Sequence, residues 1–209
     1  MSRWWHAVLL LLVTLSASAQ ESPLIPPYER VAGQTQADWS RVWWQWAATF
    51  ERYESPVADA TGELCASHQS GDVFFLAGTY GTARTIRTCT VPRGKYLFFP
   101  IINYVVMPGR DRNLGCADAI AHVAQITDDL VKILLEVDGK PYEGLSLHRQ
   151  ATECFDLGAL AAPPIRMYPT AANGYYVMLK PLPPGEHTIN FGGWLPSMIQ
   201  LVTYTIIVE

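Results

Sequence analysis

The sequence lacks the motifs by which most enzymes are recognised. It contains neither the H-E-x-x-H motif of zinc peptidases nor a phosphate-binding loop ending in Gly-Lys-Ser/Thr. Residues 144–148 (GLSLH) have histidine where the second glycine of a hydrolase elbow belongs, and no helical pattern follows them. Lys and Arg number 15 against 19 Asp and Glu, so the basic excess of a nucleic-acid-binding protein is also missing. From these absences we expect no cofactor, no metal and no nucleic-acid partner.

Long apolar runs are missing beyond the first twenty residues, so we expect no membrane-spanning segment in the mature chain. The start of the sequence is different. Arg3 precedes an apolar run at residues 7–15, and Ala17-Ser-Ala19 follows it. This is the pattern of a cleaved secretory signal, with a basic start, a short apolar run and small residues at the cleavage site. We therefore expect residues 1–19 to be removed and the protein to be periplasmic or extracellular.

The clearest helix follows a proline-rich segment at residues 20–34, which we interpret as an extended N-terminal arm. Thr35 and Asp38 have the spacing of a capping box. Aromatic residues then recur every three or four positions, as expected on one face of a helix over residues 36–49: Trp39, Trp43, Trp46 and Phe50. This stripe is predicted to be core, whereas Trp44 points about 100° away from Trp43 and is a candidate for the surface.

The rest of the chain has mostly strand patterns separated by turns rich in Gly and Pro. A second helix is predicted at residues 116–129. Three hairpins are expected: residues 72–77 with 85–91, residues 131–137 with 142–147 around Asp138-Gly139, and residues 187–191 with 201–208 through a loop that contains Trp194. The pattern predicts a mainly β protein, an antiparallel β-sandwich of Ig-like or jelly-roll-like type with one N-terminal and one mid-chain helix. We expect a single domain over residues 35–209.

Four cysteines in an exported chain predict disulfides, and three pairings are possible. We favour Cys65–Cys89 and Cys116–Cys154, because the predicted hairpins bring the members of each pair towards each other. The alternative is zinc, since Cys65 and His68 have the spacing of a zinc half-site that Cys89 could extend.

Several segments resemble known exported proteins. Residues 43–46 (WWQW), 59–62 (DATG) and 89–100 (CTVPRGKYLFFP) are similar to a group of exported bacterial proteins with no known activity. Residues 138–140 (DGK), 184–187 (PGEH) and 204–208 (YTIIV) look like strands of exported Ig-like sandwiches. The resemblance implies an exported β domain and no particular chemistry.

Two sets of residues are candidates for function. A surface tryptophan can stack on a sugar ring or anchor a partner, so Trp44, its neighbour Gln45, and Trp194 are candidate ligand-binding residues. His68 lies among carboxylates in the loop over residues 59–72, so His68, Asp59 and Glu63 are candidate acid/base residues.

We expect an exported non-catalytic domain with a binding or structural role at the cell envelope, whose partner is a carbohydrate or an envelope protein. The alternative is a secreted hydrolase that takes an acid/base pair from residues 59–72. A cleft containing His68 bonded to a carboxylate favours the hydrolase, and an exposed Trp44 or Trp194 favours binding.

Overall fold

A computed structural model describes residues 22–81, 84–109 and 114–209. The predicted signal at residues 1–19 lies outside the described residues. Two α-helices, α1 (Gln36–Ala47) and α2 (Cys116–Asp128), are close to their predicted bounds. The strands are β1 (Val73–Phe75), β2 (Arg84–Val91), β3 (Tyr96–Val106), β4 (Lys132–Val137), β5 (Lys140–Pro141), β6 (Arg149–Ala151), β7 (Ala171–Leu179), β8 (Gly185–Leu195) and β9 (Met198–Val208).

The strands form two packed sheets, as the fold-class prediction requires. The four-stranded sheet has the order β1-β3-β7-β6 and the five-stranded sheet has the order β2-β9-β8-β4-β5. Most neighbours are antiparallel, but β1 pairs with β3 and β2 pairs with β9 in parallel. The inner faces of the two sheets share one large apolar core, with Phe99, Val177, Phe191 and Ile206 fully buried within it.

The predicted hairpin between residues 72–77 and 85–91 is wrong, because β1 and β2 belong to different sheets. Residues 76–81, which follow β1, are held by the Gln200 side chain of β9, which accepts a hydrogen bond from the Thr79 backbone N–H at 2.8 Å. A side chain at Gly78 would collide with Gln200. Gly78 therefore permits a close approach between segments and does not make a turn.

The Asp138-Gly139 turn is confirmed, with positive φ angles of 51° and 75°. Its returning strand is much shorter than predicted: β5 has two residues, and Leu145–His148 forms a 3-10 helix. The last hairpin is longer than predicted. Trp194 lies within β8, paired with Ile199, and not in a loop.

Helix α1 and the N-terminal arm cover the outer face of the four-stranded sheet. Ile25 and Val31 of the arm share a buried cluster with the helix and with Phe98 and Tyr176 of the sheet. The arm is tied to β7 by the Ile25 backbone N–H, which donates to the Met178 carbonyl at 2.8 Å. Helix α2 packs through Ala119 and Val123 on the ends of β3 and β7.

Candidate ligand-binding groove

Helix α1 is fixed by its tryptophans as well as by the capping box at Thr35. Trp39, Trp43 and Trp46 are buried, as the stripe predicts. Each indole N–H donates to a backbone carbonyl of a different segment, and the acceptors are Val31, Leu76 and Ser67, at 2.9, 3.0 and 3.1 Å. The helix therefore has a defined position against the arm, the end of β1 and the loop before it.

Trp44 is half-buried on the adjacent side of the helix. Its Nε1 donates to the Tyr176 hydroxyl at 2.9 Å, and the Asn103 amide donates to the same oxygen at 3.1 Å. Burial raises the pKa of Tyr176 more than these two hydrogen bonds lower it, so the phenol stays neutral. The indole N–H of Trp44 is thus fixed by a hydrogen bond to a neutral, buried hydroxyl, while the rest of the ring borders open space.

That space is a groove of about 540 Å³ between the C-terminal half of α1 and the outer face of β3. Its volume is in the range of small-molecule sites. The lining is mostly apolar, and its side chains include three methionines and several aromatic residues: Trp44, Tyr80, Tyr104, Met107, Met167 and Met198. Asn103 is on its floor, and its Oδ1 has no hydrogen-bond partner among the described residues.

A cation lies at the rim of the groove. The Arg52 guanidinium carbon is 4.9 Å from the centre of the Tyr80 ring and 5.8 Å from that of Tyr53. The Tyr80 hydroxyl donates to the Arg52 carbonyl at 3.1 Å, so side chain and backbone hold the two residues together. Within the described part of the chain, no carboxylate forms an ion pair with Arg52.

The other two candidate binding residues have different surroundings. Gln45 is buried, and its amide N–H donates to the Asp156 carbonyl at 2.8 Å, so it fastens the segment after β6 to the helix. Trp194 is 49% exposed on the outer face of the five-stranded sheet and is not among the residues that line the groove. The structure therefore does not bring Trp44 and Trp194 together.

The three candidate acid/base residues do not form a dyad. The exposed His68 ring stacks on Phe50 with centroids 4.3 Å apart, and its Nδ1 is 2.8 Å from the Thr49 hydroxyl. Across the described residues, no carboxylate bonds to His68. Glu63 is exposed in the same loop as Asp59.

The Asp59 carboxylate stabilises the loop to which it belongs. Its carboxylate accepts hydrogen bonds from the backbone N–H groups of Thr61 and Leu64 at 2.7 and 2.9 Å. Partial burial would raise the pKa of this carboxyl, but these bonds outweigh that effect and hold the pKa below its ordinary value. An acid with a lowered pKa is poorly suited to donate a proton near neutral pH.

The two favoured cysteine pairings are both present, Cys65–Cys89 and Cys116–Cys154, each with 5.9 Å between the Cα atoms. The zinc alternative is wrong, because Cys65 and Cys89 are bonded to each other. In the ranges that the structure covers, no group of three or more His, Cys, Asp or Glu side chains could hold a metal ion.

Comparison with known proteins assigns no family. No family model matches the chain, and no curated protein matches it. A solved structure that does match is that of PbICP-C in complex with falcipain-2, with 11% identity and a TM-score of 0.30 over 66% of this chain and all of that chain. A similarity this low says nothing about what this chain binds. No helix in the described ranges is long and apolar enough to cross a membrane.

Several residues of the groove were missed at the level of sequence. Asn103 lies inside an apolar run, and nothing in the sequence distinguishes Tyr176 from other aromatic residues in strands. Arg52 and Tyr80 belong to two loops that nothing in the sequence brings together. The one available signal was Trp44, whose position off the stripe predicted exposure.

Proposed function

We propose that this protein is an exported, non-catalytic binding domain that holds a largely apolar ligand in the groove beside Trp44. The observation that carries the proposal is the groove itself: a concave space of about 540 Å³ with an aromatic and methionine lining, next to the hydrogen-bonded side chains of Trp44, Tyr176 and Asn103. Two disulfides fit maturation in an oxidising compartment outside the cytoplasm.

The lining favours an apolar ligand over a sugar. Sugar sites surround an aromatic platform with hydrogen-bonding side chains, whereas here the side chain of Asn103 is the main polar group on the floor. Methionine side chains adapt to ligands of different shape, and three of them converge here. The preformed anchor of Trp44 reduces the ordering that binding requires.

The proposal is tested with the neutral fluorescent probe N-phenyl-1-naphthylamine. We expect saturable binding to the wild-type protein. Trp44→Ala removes one wall and Ala48→Phe fills the space next to it, so each is expected to weaken binding by about tenfold or more. Tyr28→Ala is the matched control, because Tyr28 is an exposed aromatic outside the groove.

Near-ultraviolet circular dichroism of each variant reports whether the aromatic packing is retained. If folded Trp44→Ala and Ala48→Phe bind the probe as the wild type does, the groove is not the binding site. If Trp194→Ala is the variant that loses binding, the site is the outer face of the five-stranded sheet instead. Trp194 as a second binding residue stays a prediction.

The secreted hydrolase also stays a hypothesis, with less support than binding. Its candidate base, His68, is bonded to Thr49 and not to an acid. The carboxylate of its candidate acid, Asp59, accepts hydrogen bonds from backbone N–H groups of its own loop.

A further inference from the structure

Arg52 gives the groove a chemical preference that its apolar lining alone does not. This residue lines the groove together with Tyr80 and carries the positive charge at that rim. Glu51 and Glu54 are close in sequence, but in the described structure neither forms an ion pair with Arg52. Its guanidinium N–H groups also have no hydrogen-bond acceptor among the described residues.

On this basis we propose that the ligand is an amphipathic carboxylate, free in solution, whose apolar body lies along the groove and whose carboxylate is bound by Arg52. The inference rests on the proposed function, because it assumes that the groove is the site. Guanidinium and carboxylate match in shape, since two parallel N–H groups can donate to the two oxygens.

The position of Arg52 supports this role over that of an ordinary surface arginine. One face of the guanidinium is covered by the Tyr80 ring, so the N–H groups at its edge stay available for an anion. The hydroxyl of Ser55, which is fully buried, also donates to the Arg52 carbonyl at 3.0 Å. The cation is therefore held beside the apolar wall, and less ordering is needed when an anion binds.

The opposite end of the ligand meets a neutral surface. Trp44, Tyr104 and Met167 offer no charge, and Asn103 offers a single acceptor. A cationic ligand would place its charge against Arg52 or in an apolar wall. A doubly charged ligand would leave one of its charges without a partner, which is costly in a partly desolvated site.

The test compares two probes that share one skeleton. N-phenyl-1-naphthylamine is neutral, and 8-anilino-1-naphthalenesulfonate is the same molecule with one anionic group. We expect the wild type to bind the anionic probe about tenfold more tightly than the neutral one in low salt. Arg52→Gln should remove this difference between the two probes, and Arg52→Lys should restore part of it.

Arg166→Gln is the matched control, because Arg166 is also an exposed arginine stacked on a tyrosine, with 5.8 Å to the Tyr168 ring, but does not line the groove. A carboxylate is then tested directly by competition. Decanoate should displace the neutral probe from the wild type about tenfold better than decanol, and this advantage should disappear in Arg52→Gln.

The outcomes separate the two proposals. The neutral probe could bind in the groove while Arg52 does not increase the affinity for the charged probe or for decanoate. In that case the proposed carboxylate ligand is wrong and the proposed binding function stands. If the binding of neither probe depends on Trp44, both proposals are wrong. If the protein binds vesicles of anionic phospholipid through Arg52 but does not bind free decanoate, the ligand is a membrane surface and the inference of a free carboxylate is overturned.

Discussion

At the scale of single residues, Arg87 is the most unusual side chain of the core. It is 2% exposed, and no carboxylate in the described ranges forms an ion pair with it. Its guanidinium donates instead to the carbonyls of Val57, Asp59, Ala77 and Gly78 and to the Tyr204 hydroxyl. Five acceptors thus replace the water that the charge has lost.

Arg87→Met should therefore leave several buried carbonyls without a donor and lower the free energy of unfolding by about 3 kcal/mol or more. Arg84→Met on the same strand is the control, because Arg84 is exposed. Urea denaturation measures both variants. Equal losses in the two would show that the carbonyl cluster contributes little.

Two histidines are expected to give the stability opposite dependences on pH. Burial alone would lower the pKa of His187, but its bonds to Asp138 and to the Pro183 carbonyl, at 2.8 and 2.9 Å, raise it overall. Burial lowers the pKa of His148 more than the Tyr176 backbone raises it, and the Nδ1 atom of His148 has no hydrogen-bond partner among the described residues. The stability from His187 is present below the unfolded pKa of about 6.5 and is lost as the pH rises through the higher folded pKa.

His148 acts in the other direction, because its contribution is full above a pH of about 6.5 and falls as the pH drops towards its lower folded pKa. His187→Gln should therefore lose most stability in acid, and His148→Gln should gain relative to the wild type as the pH falls. Urea unfolding at several pH values between about 5 and 8 measures both slopes. Parallel curves for wild type and variants would contradict the assignment.

At the scale of elements, local patterns predicted local structure well. Helix α1 was predictable from its capping box and its stripe, because both signals act within a few residues. The Asp138-Gly139 turn was predictable for the same reason. The separation of β1 from β2 was not, because it depends on Gln200 and Arg87, whose partners lie far away in the sequence.

The disulfide Cys65–Cys89 ties an irregular loop to β2, and it closes 24 residues of chain. Cys65→Ala with Cys89→Ala should lower the free energy of unfolding by about 3–4 kcal/mol, mainly because the unfolded chain becomes less constrained. Thermal unfolding of the double variant, compared with Cys116→Ala/Cys154→Ala, measures the two contributions. A change below about 1 kcal/mol would contradict this account, because the native loop would then gain freedom as well or the unfolded chain would already be restricted.

At the scale of the whole molecule, the two sheets have unequal outer faces. The four-stranded sheet is covered by α1 and the arm, and the groove is where that cover ends. No helix or arm among the described residues covers the outer face of the five-stranded sheet in this way, and that face exposes Trp194, Ile199, Leu201 and Ile86. The alternating pattern of the last strands predicted one outward side, but most of its exposed residues near Trp194 are apolar.

The groove itself could not be predicted at this scale. A sequence shows which residues are aromatic, but the space between α1, β3 and two loops depends on where each of them stops. Trp44 was the only member of the site that its own helix could single out, since Tyr176 and Asn103 reach it from β7 and β3.

The parallel pairing of β2 with β9 has a consequence for the order in which the protein is made. Arg87 and Tyr204, which meet in this pair, are 117 residues apart in sequence. During synthesis, β2 emerges long before its neighbour β9, while Cys65 and Cys89 are already close enough in the chain to be oxidised. The first covalent crosslink can thus form on a nascent chain whose sheet is still incomplete, and the late arrival of β9 then closes the sandwich.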